Sequence, residues 1–336
     1  MVPFTYTQAQ NVSSAVASQA NHRSDGAAAL GANFFAGGSD MMQLMQERVC
    51  NPSSIVDITA LPDLNRIDFN ERGARLGALV RMSDAATHAG VLEYFPVVAQ
   101  ALLASASPQV RNVATLGGNL LQRTRCGYFR DVVMPCNKRE PGTGCPAIDG
   151  QNRLLAILGT SEHCMATYAG DFANALLVLD AAVRIAGPHG ERVVALSDLH
   201  RLPGDTPQLE TQLHPGELIV SVDIPFSAAG RRSYYLKVRD RTSFAFALAS
   251  VAVALELDGD GIVRDVRLAV GGVATRPWRL PQVEHRLLRK RLTVALCREA
   301  ALSATERSKA RGQNAYKIVL LQRTVARGLE ETGGLA

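Results

Sequence analysis

Aromatic residues are scarce in this chain: 5% of 336 residues, with one tryptophan. A surface that stacks nucleic-acid bases needs more rings than that. The net charge of +5 comes from 36 basic and 31 acidic residues. They are scattered, with no dense basic run, so nucleic acid is not an expected partner. No stretch of about 18 apolar residues occurs, so no membrane span is expected. The opening MVPFTYTQAQNVSSAVASQA lacks a basic region followed by an apolar one, so no signal peptide of its own is expected. Six cysteines are too few for a disulfide-built scaffold. No two of them form C-x-x-C, which argues against a zinc ribbon and against the common ferredoxin run. No G-x-S-x-G or comparable acyl-transfer signature is present. What is there describes an ordinary globular protein, 47% hydrophobic and 20% charged, long enough for two or three domains.

Along the chain, strand-like and helix-like segments mix in an α+β pattern. Residues 3–8 read as a strand and Asn11–Ala20 as a helix capped by Asn11 or Ser13. Gly31–Asp40 is a short apolar strand running into a glycine turn, followed by the helical MMQLMQERV. Such a turn aims backbone N–H groups at a helix start, where phosphate is favoured. It is neither G-x-G-x-x-G nor a P-loop, which would need a lysine. Ser54–Thr59 reads as a strand, 66–69 with 74–80 as a hairpin, Ser83 as the start of a capped helix, and Phe95–Ala104 as a buried helix. Arg153–Leu158 reads as a strand. Asp171 is a natural N-cap for the apolar Phe172–Asp180. A hairpin spans 182–195, and Glu217–Pro225 is a strand stopped by proline. Ser227–Gly230 is the best candidate linker. Beyond it, 233–238, 244–257 and 262–270 suggest an antiparallel sheet, with amphipathic helix from Arg279 to about Leu329.

Arg111–Cys145, RNVATLGGNLLQRTRCGYFRDVVMPCNKREPGTGC, concentrates the chemistry. Its first half is a second glycine turn with a hydroxyl and an amide, Ala114-Thr-Leu-Gly-Gly-Asn119. Glycines there allow backbone to approach a bulky ligand. Its second half holds Cys126, Cys136 and Cys145, and Cys164 follows. Arg125, Arg130, Lys138 and Arg139 lie around them, and positive charge stabilises thiolates. The residues alone leave open an iron–sulfur cluster, zinc, two disulfides, or four unrelated thiols. Cys50 and Cys297 read as small core residues.

Four segments then stand in a familiar order: Phe34-Phe-Ala-Gly-Gly-Ser-Asp40, Arg111-Asn-Val-Ala-Thr-Leu-Gly-Gly-Asn-Leu120, Gly216-Glu-Leu-Ile-Val220 and Tyr235-Leu-Lys-Val-Arg-Asp-Arg-Thr-Ser-Phe-Ala-Phe-Ala247. The chain resembles the FAD-binding (medium) subunits of the xanthine dehydrogenase and aldehyde oxidase family of molybdenum hydroxylases. It is most similar to the periplasmic aldehyde oxidoreductase subgroup, whose flavin subunit carries a [4Fe–4S] loop. The resemblance implies a two-subdomain, PCMH-type FAD-binding domain over 1–228, with the cysteine loop at about 122–165. A smaller domain of antiparallel sheet plus helices would follow over 229–336. It implies FAD contacts from Phe34, Phe35, Ala36, Gly37, Gly38, Ser39, Asp40 and Met41, from Ala114, Thr115, Gly117, Gly118 and Asn119, and from Asp171, Leu218 and Lys237. Relatives carry His-Pro-Ser-Asp where this chain reads Tyr168-Ala-Gly-Asp171, so the acid is kept and its turn altered. Cys126, Cys136, Cys145 and Cys164 would hold the [4Fe–4S] cluster.

The implied role is electron relay, with no catalytic acid or base. A large molybdenum cofactor subunit would oxidise substrate, and a small [2Fe–2S] subunit would pass electrons to FAD here, in a heterotrimer. Substrate and acceptor lie outside this chain's sequence. The compartment would be the periplasm, reached with an exported partner, or the cytoplasm. Two other readings are a self-contained FAD-dependent oxidase and a zinc-stabilised structural subunit.

Overall fold

A computed structural model describes residues 2–20 and 33–336. Gly31 and Ala32, which the sequence places at the head of the first glycine strand, lie outside them. Strands β1 (Thr5–Gln8), β2 (Phe34–Phe35) and β3 (Ser54–Asp57) form a small parallel sheet with β3 central. All four residues of β3 are buried, as an Ile-Val strand between two neighbours should be. Strands β4 (Ile67–Asn70), β5 (Gly73–Gly77), β6 (Ala182–Gly187), β7 (Gly190–Ala195) and β8 (Leu218–Pro225) make an antiparallel sheet, in order β4-β5-β8-β6-β7. Against it lie the helices Pro96–Ala104 and Phe172–Leu177, both apolar nearly all round. Proline at the first position of the former has the preset φ and missing N–H that suit a helix start.

Strands β9 (Ser233–Val238), β10 (Ala249–Leu257), β11 (Val263–Gly271) and β12 (Trp278–Arg279) form the third sheet, ordered β12-β11-β10-β9. Here period-2 patterning divides two cores. Ala252 and Ala254 of β10 face the first core, with Leu76, Phe95 and Phe172. Val251, Val253 and Leu255 face a second core under the C-terminal helices. Small residues on one face let the sheet pack closely on the preceding domain.

Several local readings are corrected. Arg153–Leu158 is a bend, because Ile157 and Leu158 both donate to the one carbonyl of Val273 and no ladder can grow. Ser227–Gly230 is no loose linker: Ser227 caps the helical turn Ala228–Arg231, and Ala229 and Gly230 are buried. Ser83 caps nothing, since its helix begins at Met82 after Arg81. The region after Arg279 is broken into Pro281–Leu287, Val294–Ala301, two 3₁₀ turns and Tyr316–Gly333, which ends on left-handed Gly334.

One buried lysine pins the last helix. Lys317 donates to the Leu154 carbonyl at 2.9 Å and the Gly272 carbonyl at 2.6 Å. Burial, reinforced by Arg153, lowers its ammonium from 10.5 to about 7. Between those values the unfolded chain binds a proton that the folded chain does not, so this group makes stability rise with pH across that window. The slope is about 1.4 kcal/mol per pH unit, levelling off below 7. Urea unfolding at several pH values from 7 to 10 should show that rise in the native chain and its absence in Lys317→Met. Equal pH dependence in both would contradict it.

Candidate flavin cleft and cysteine cavity

The first glycine turn leaves β2, crosses Ala36–Asp40 and enters the short helix Met41–Gln46. Gly38 sits at φ +65, and a Cβ there would meet the Phe35 ring at 2.5 Å. A Cβ on Gly37 would meet the Val113 carbonyl oxygen at 2.2 Å. The two glycine turns therefore touch, and only glycine permits it. The second turn is held by backbone: Met82 N–H donates to the Ala114 carbonyl, Leu116 N–H to Val80 and Gly117 N–H to Ala78, at 2.9–3.0 Å. Thr115 caps the helix Leu116–Leu120 by accepting from Gly118 N–H at 3.4 Å. Asn119 is 8% exposed; its amide nitrogen faces the Met82 sulfur, and its Oδ1 has no partner.

The turns wall a cleft of about 680 Å³, within the ~300–1,000 Å³ usual for ligand sites. Phe34, Ala36, Gly37, Gly38, Ser39, Asp40, Met41, Ala114, Thr115, Gly118, Asn119, Asp171 and Lys237 all line it. Phe35, Gly117 and Leu218 do not. Phe35 packs beside Gly38, Gly117 lies against Ala78, and Leu218 is buried behind the first turn with Phe34 and Ala36. Arg123, Arg125, Arg130 and Arg241 also line the cleft, as do Ser105, Phe244 and Phe246. Sequence reasoning assigned none of these to a flavin, and a diphosphate gives the guanidinium groups a purpose.

Two acids that stand at helix starts make no capping bond, Asp171 among them despite its sequence context. Asp40 accepts from Arg123 N–H at 2.7 Å and from Arg130 at 2.8 Å, and it pairs with Arg125. It ties the first glycine turn to the start of the cysteine loop. Asp171 starts its helix but makes no capping bond. Its carboxylate accepts from Ser105 Oγ at 2.8 Å, Tyr235 OH at 2.6 Å and Lys237 Nζ at 2.7 Å. Lys237 is thus a buried partner rather than a solvated strand residue, and its Nζ also reaches the Ala104 carbonyl. Breaking such a pair by Lys237→Met strands a buried carboxylate, at a cost of about 3–5 kcal/mol. Urea unfolding measures it; a loss under about 1 kcal/mol, the range of exposed pairs, would refute the burial argument. The altered turn at 168–170 has its own anchor, since Tyr168 OH donates to the Leu120 carbonyl at 3.2 Å.

The cysteines meet a few residues away. Cys126, Cys136, Cys145 and Cys164 line one small cavity with Phe129, Ala147 and Ala166. All four are unbonded thiols. Among the described residues no three His, Cys, Asp or Glu side chains are gathered tightly enough to hold a single metal ion. Burial pushes Cys126 up to about 11 and Cys164 up to about 12, and it raises Cys145. Backbone N–H groups oppose this, from Phe129 and Tyr128 on Cys126, from Ala147, Met165 and Ile148 on Cys145, and from Ala166 on Cys164. Of the basic residues expected around the thiols, Lys138 acts on Cys164. Arg125 and Arg130 bind Asp40, and Arg139 donates to the Tyr128 and Phe129 carbonyls. Cys50 is more than a core residue: it is half-buried, lines the cleft and packs on the hydrophobic cluster that includes Cys126, Cys136 and Cys164. Cys297 is core, as expected.

Comparison with known proteins follows the same division. Residues 2–227 match the family described as the FAD binding domain in molybdopterin dehydrogenase. The chain belongs to the FAD-binding subunits of the molybdenum hydroxylases. Residues 234–332 match the CO dehydrogenase flavoprotein C-terminal domain. The chain is 42% identical over 303 residues to the aldehyde oxidoreductase FAD-binding subunit PaoB of Escherichia coli (strain K12), covering 90% of this chain and 91% of that one. It is 26% identical to the carbon monoxide dehydrogenase medium chain of Hydrogenophaga pseudoflava, covering 98% and 97%. Its fold matches reconstituted CO dehydrogenase from Oligotropha carboxidovorans with TM-score 0.76, at 21% identity over 100% of each chain. The residues that line the cleft fit FAD. The unpaired Asn119 Oδ1, the glycine cradle and the arginines all do.

Proposed function

We propose that this chain is the electron-transfer flavin subunit of a molybdenum-containing aldehyde oxidoreductase, passing electrons from iron–sulfur centres to FAD and on to an external acceptor. Bound FAD supplies a carrier that exchanges one or two electrons. The protein's part is to hold it. N–H groups of the 36–41 turn and the nearby arginines would receive the diphosphate, and the Asp171–Lys237 pair would fix the cleft floor. No general base is required.

Cys126, Cys136, Cys145 and Cys164 would hold a [4Fe–4S] cluster. Four thiols line one cavity and none of them is in a disulfide, as ligands of a metal centre must be. N–H groups directed at the sulfurs suit thiolate ligation. The observation that carries the reading is adjacency. Asn119 and Cys126 are seven positions apart, at most about 25 Å even when extended, and Arg123 of the cleft stacks 4.7 Å from the ring of Phe129 in the cavity.

Partners would be a large molybdenum cofactor subunit and a small [2Fe–2S] subunit in a heterotrimer. Relatives named medium chain or medium subunit support that stoichiometry. No described helix is long and apolar enough to cross a membrane, and the complex would work in the periplasm, exported on a partner's signal, or in the cytoplasm. The test is aldehyde-driven flavin bleaching in stopped flow. The assembled complex should bleach and this chain alone should not; turnover by this chain alone would make it a self-contained oxidase instead.

A further inference from the structure

The two sites are joined by a chain of charges, Arg123–Glu210–Lys138. Arg123 lines the flavin cleft, and Lys138 lines the four-thiol cavity. Glu210 stands between them. Its Oε1 accepts from Lys138 Nζ at 2.8 Å, and its Oε2 pairs with Arg123 Nε. Lys138 also donates to the Pro207 carbonyl at 2.8 Å. The Lys138, Arg123 and Glu210 side chains are 9%, 16% and 23% exposed, so water and salt screen this trio weakly. Burial alone would raise the Glu210 carboxyl, but Arg123 and Lys138 outweigh it and hold it low. Glu210 comes from the Pro/Gly-bearing loop at 202–215, where nothing in the sequence marks it.

We propose that Glu210 is a positioning residue that sets Arg123 against the flavin cleft and Lys138 against the cysteine cavity, and thereby couples the reduction potentials of the two centres. The inference rests on the reading that the four thiols hold an iron–sulfur cluster. Reduction adds negative charge to either centre, so each cation favours the reduced form of its neighbour. One carboxylate neutralises part of both cations. Removing its charge while keeping its shape therefore favours reduction at both sites. A side chain that only packs would move neither potential.

The experiment is a redox titration of the intact complex carrying Glu210→Gln, following the cluster by EPR and the flavin optically. Iron and FAD contents are measured on the same sample. The expected result is full cofactor content with about a tenfold higher reduced-to-oxidised ratio of the cluster at fixed potential, an upward shift of about 59 mV for a one-electron centre. The flavin midpoint should rise too. Glu210→Asp, which keeps the charge, should restore both. Lys138→Met should shift the cluster downward, and it decides the matter if Glu210→Gln loses cofactors. Unchanged midpoints in a fully loaded Glu210→Gln complex, or a shift at one centre alone, would overturn the coupling and leave the cysteine reading intact. A native complex without iron would overturn the cysteine reading, and the proposal with it.

Discussion

Gly37→Ala should strip most of the flavin from this protein. The reason is a backbone contact: a Cβ at position 37 would lie 2.2 Å from the Val113 carbonyl oxygen. That oxygen belongs to the second glycine turn, which is itself tied to 78–82 by three backbone hydrogen bonds. Neither side can yield cheaply, so the two walls must part. Overpacking of this kind costs about 1–3 kcal/mol, and tenfold in affinity is about 1.4 kcal/mol. FAD affinity should therefore fall on the order of ten- to a hundredfold, with the fold retained. Fluorescence of released flavin at equilibrium measures it. Gly259→Ala is the control, because a Cβ there meets nothing within 4 Å. Unaltered affinity in Gly37→Ala would mean that contact between the turns does not shape the cleft.

Cys164→Ser should remove the iron and spare the flavin. Of the four clustered cysteines Cys164 is the furthest in sequence from the second glycine turn, yet it faces the same cavity as Cys126, Cys136 and Cys145. Serine keeps the volume and loses the soft thiolate that an iron–sulfur centre needs. The loop should survive the loss. Asn137 accepts from Gly144 N–H at 2.8 Å and donates to the His163 carbonyl at 3.1 Å, while Arg139 donates to the Tyr128 and Phe129 carbonyls. Those bonds hold its shape and leave Asp40 bound to Arg130 beside the flavin cleft. Broad absorbance near 400 nm and iron content should both collapse while the flavin bands persist. Cys297→Ser, in the second core, should leave iron unchanged. Full iron in Cys164→Ser would exclude Cys164 as a ligand.

The glycine turns and the cysteine loop were legible because their signals are local. Glycine pairs announce close approach, and clustered cysteines announce a shared task. The β10–β11 hairpin was legible from an apolar run at 244–257 bounded by Asp258-Gly-Asp-Gly261, although the strand itself begins at Ala249. What escaped depends on distant partners. Asp171 looks like an N-cap in its own segment, and only the fold brings it Ser105, Tyr235 and Lys237, each more than 60 positions away. Leu218 was assigned to the flavin by resemblance, yet one strand position decides whether a side chain faces cleft or core, and it faces core. Arg125 and Arg130 sit beside the cysteines in sequence, but an acid some 85–90 positions earlier claims them. Arg153–Leu158 has the composition of a strand, but its one bridge, Leu158 to Ala274, does not extend into a ladder. Lys317 sits in an amphipathic helix where a lysine normally marks the wet face, and it is wholly buried.

The central claim is that one chain holds a flavin and an iron–sulfur cluster side by side. Metal and flavin analysis of the native protein, purified without oxygen, tests it most directly. The expected result is one FAD and about four irons per chain, with a cluster EPR signal on reduction. Zinc in place of iron, or flavin with no metal at all, would contradict it.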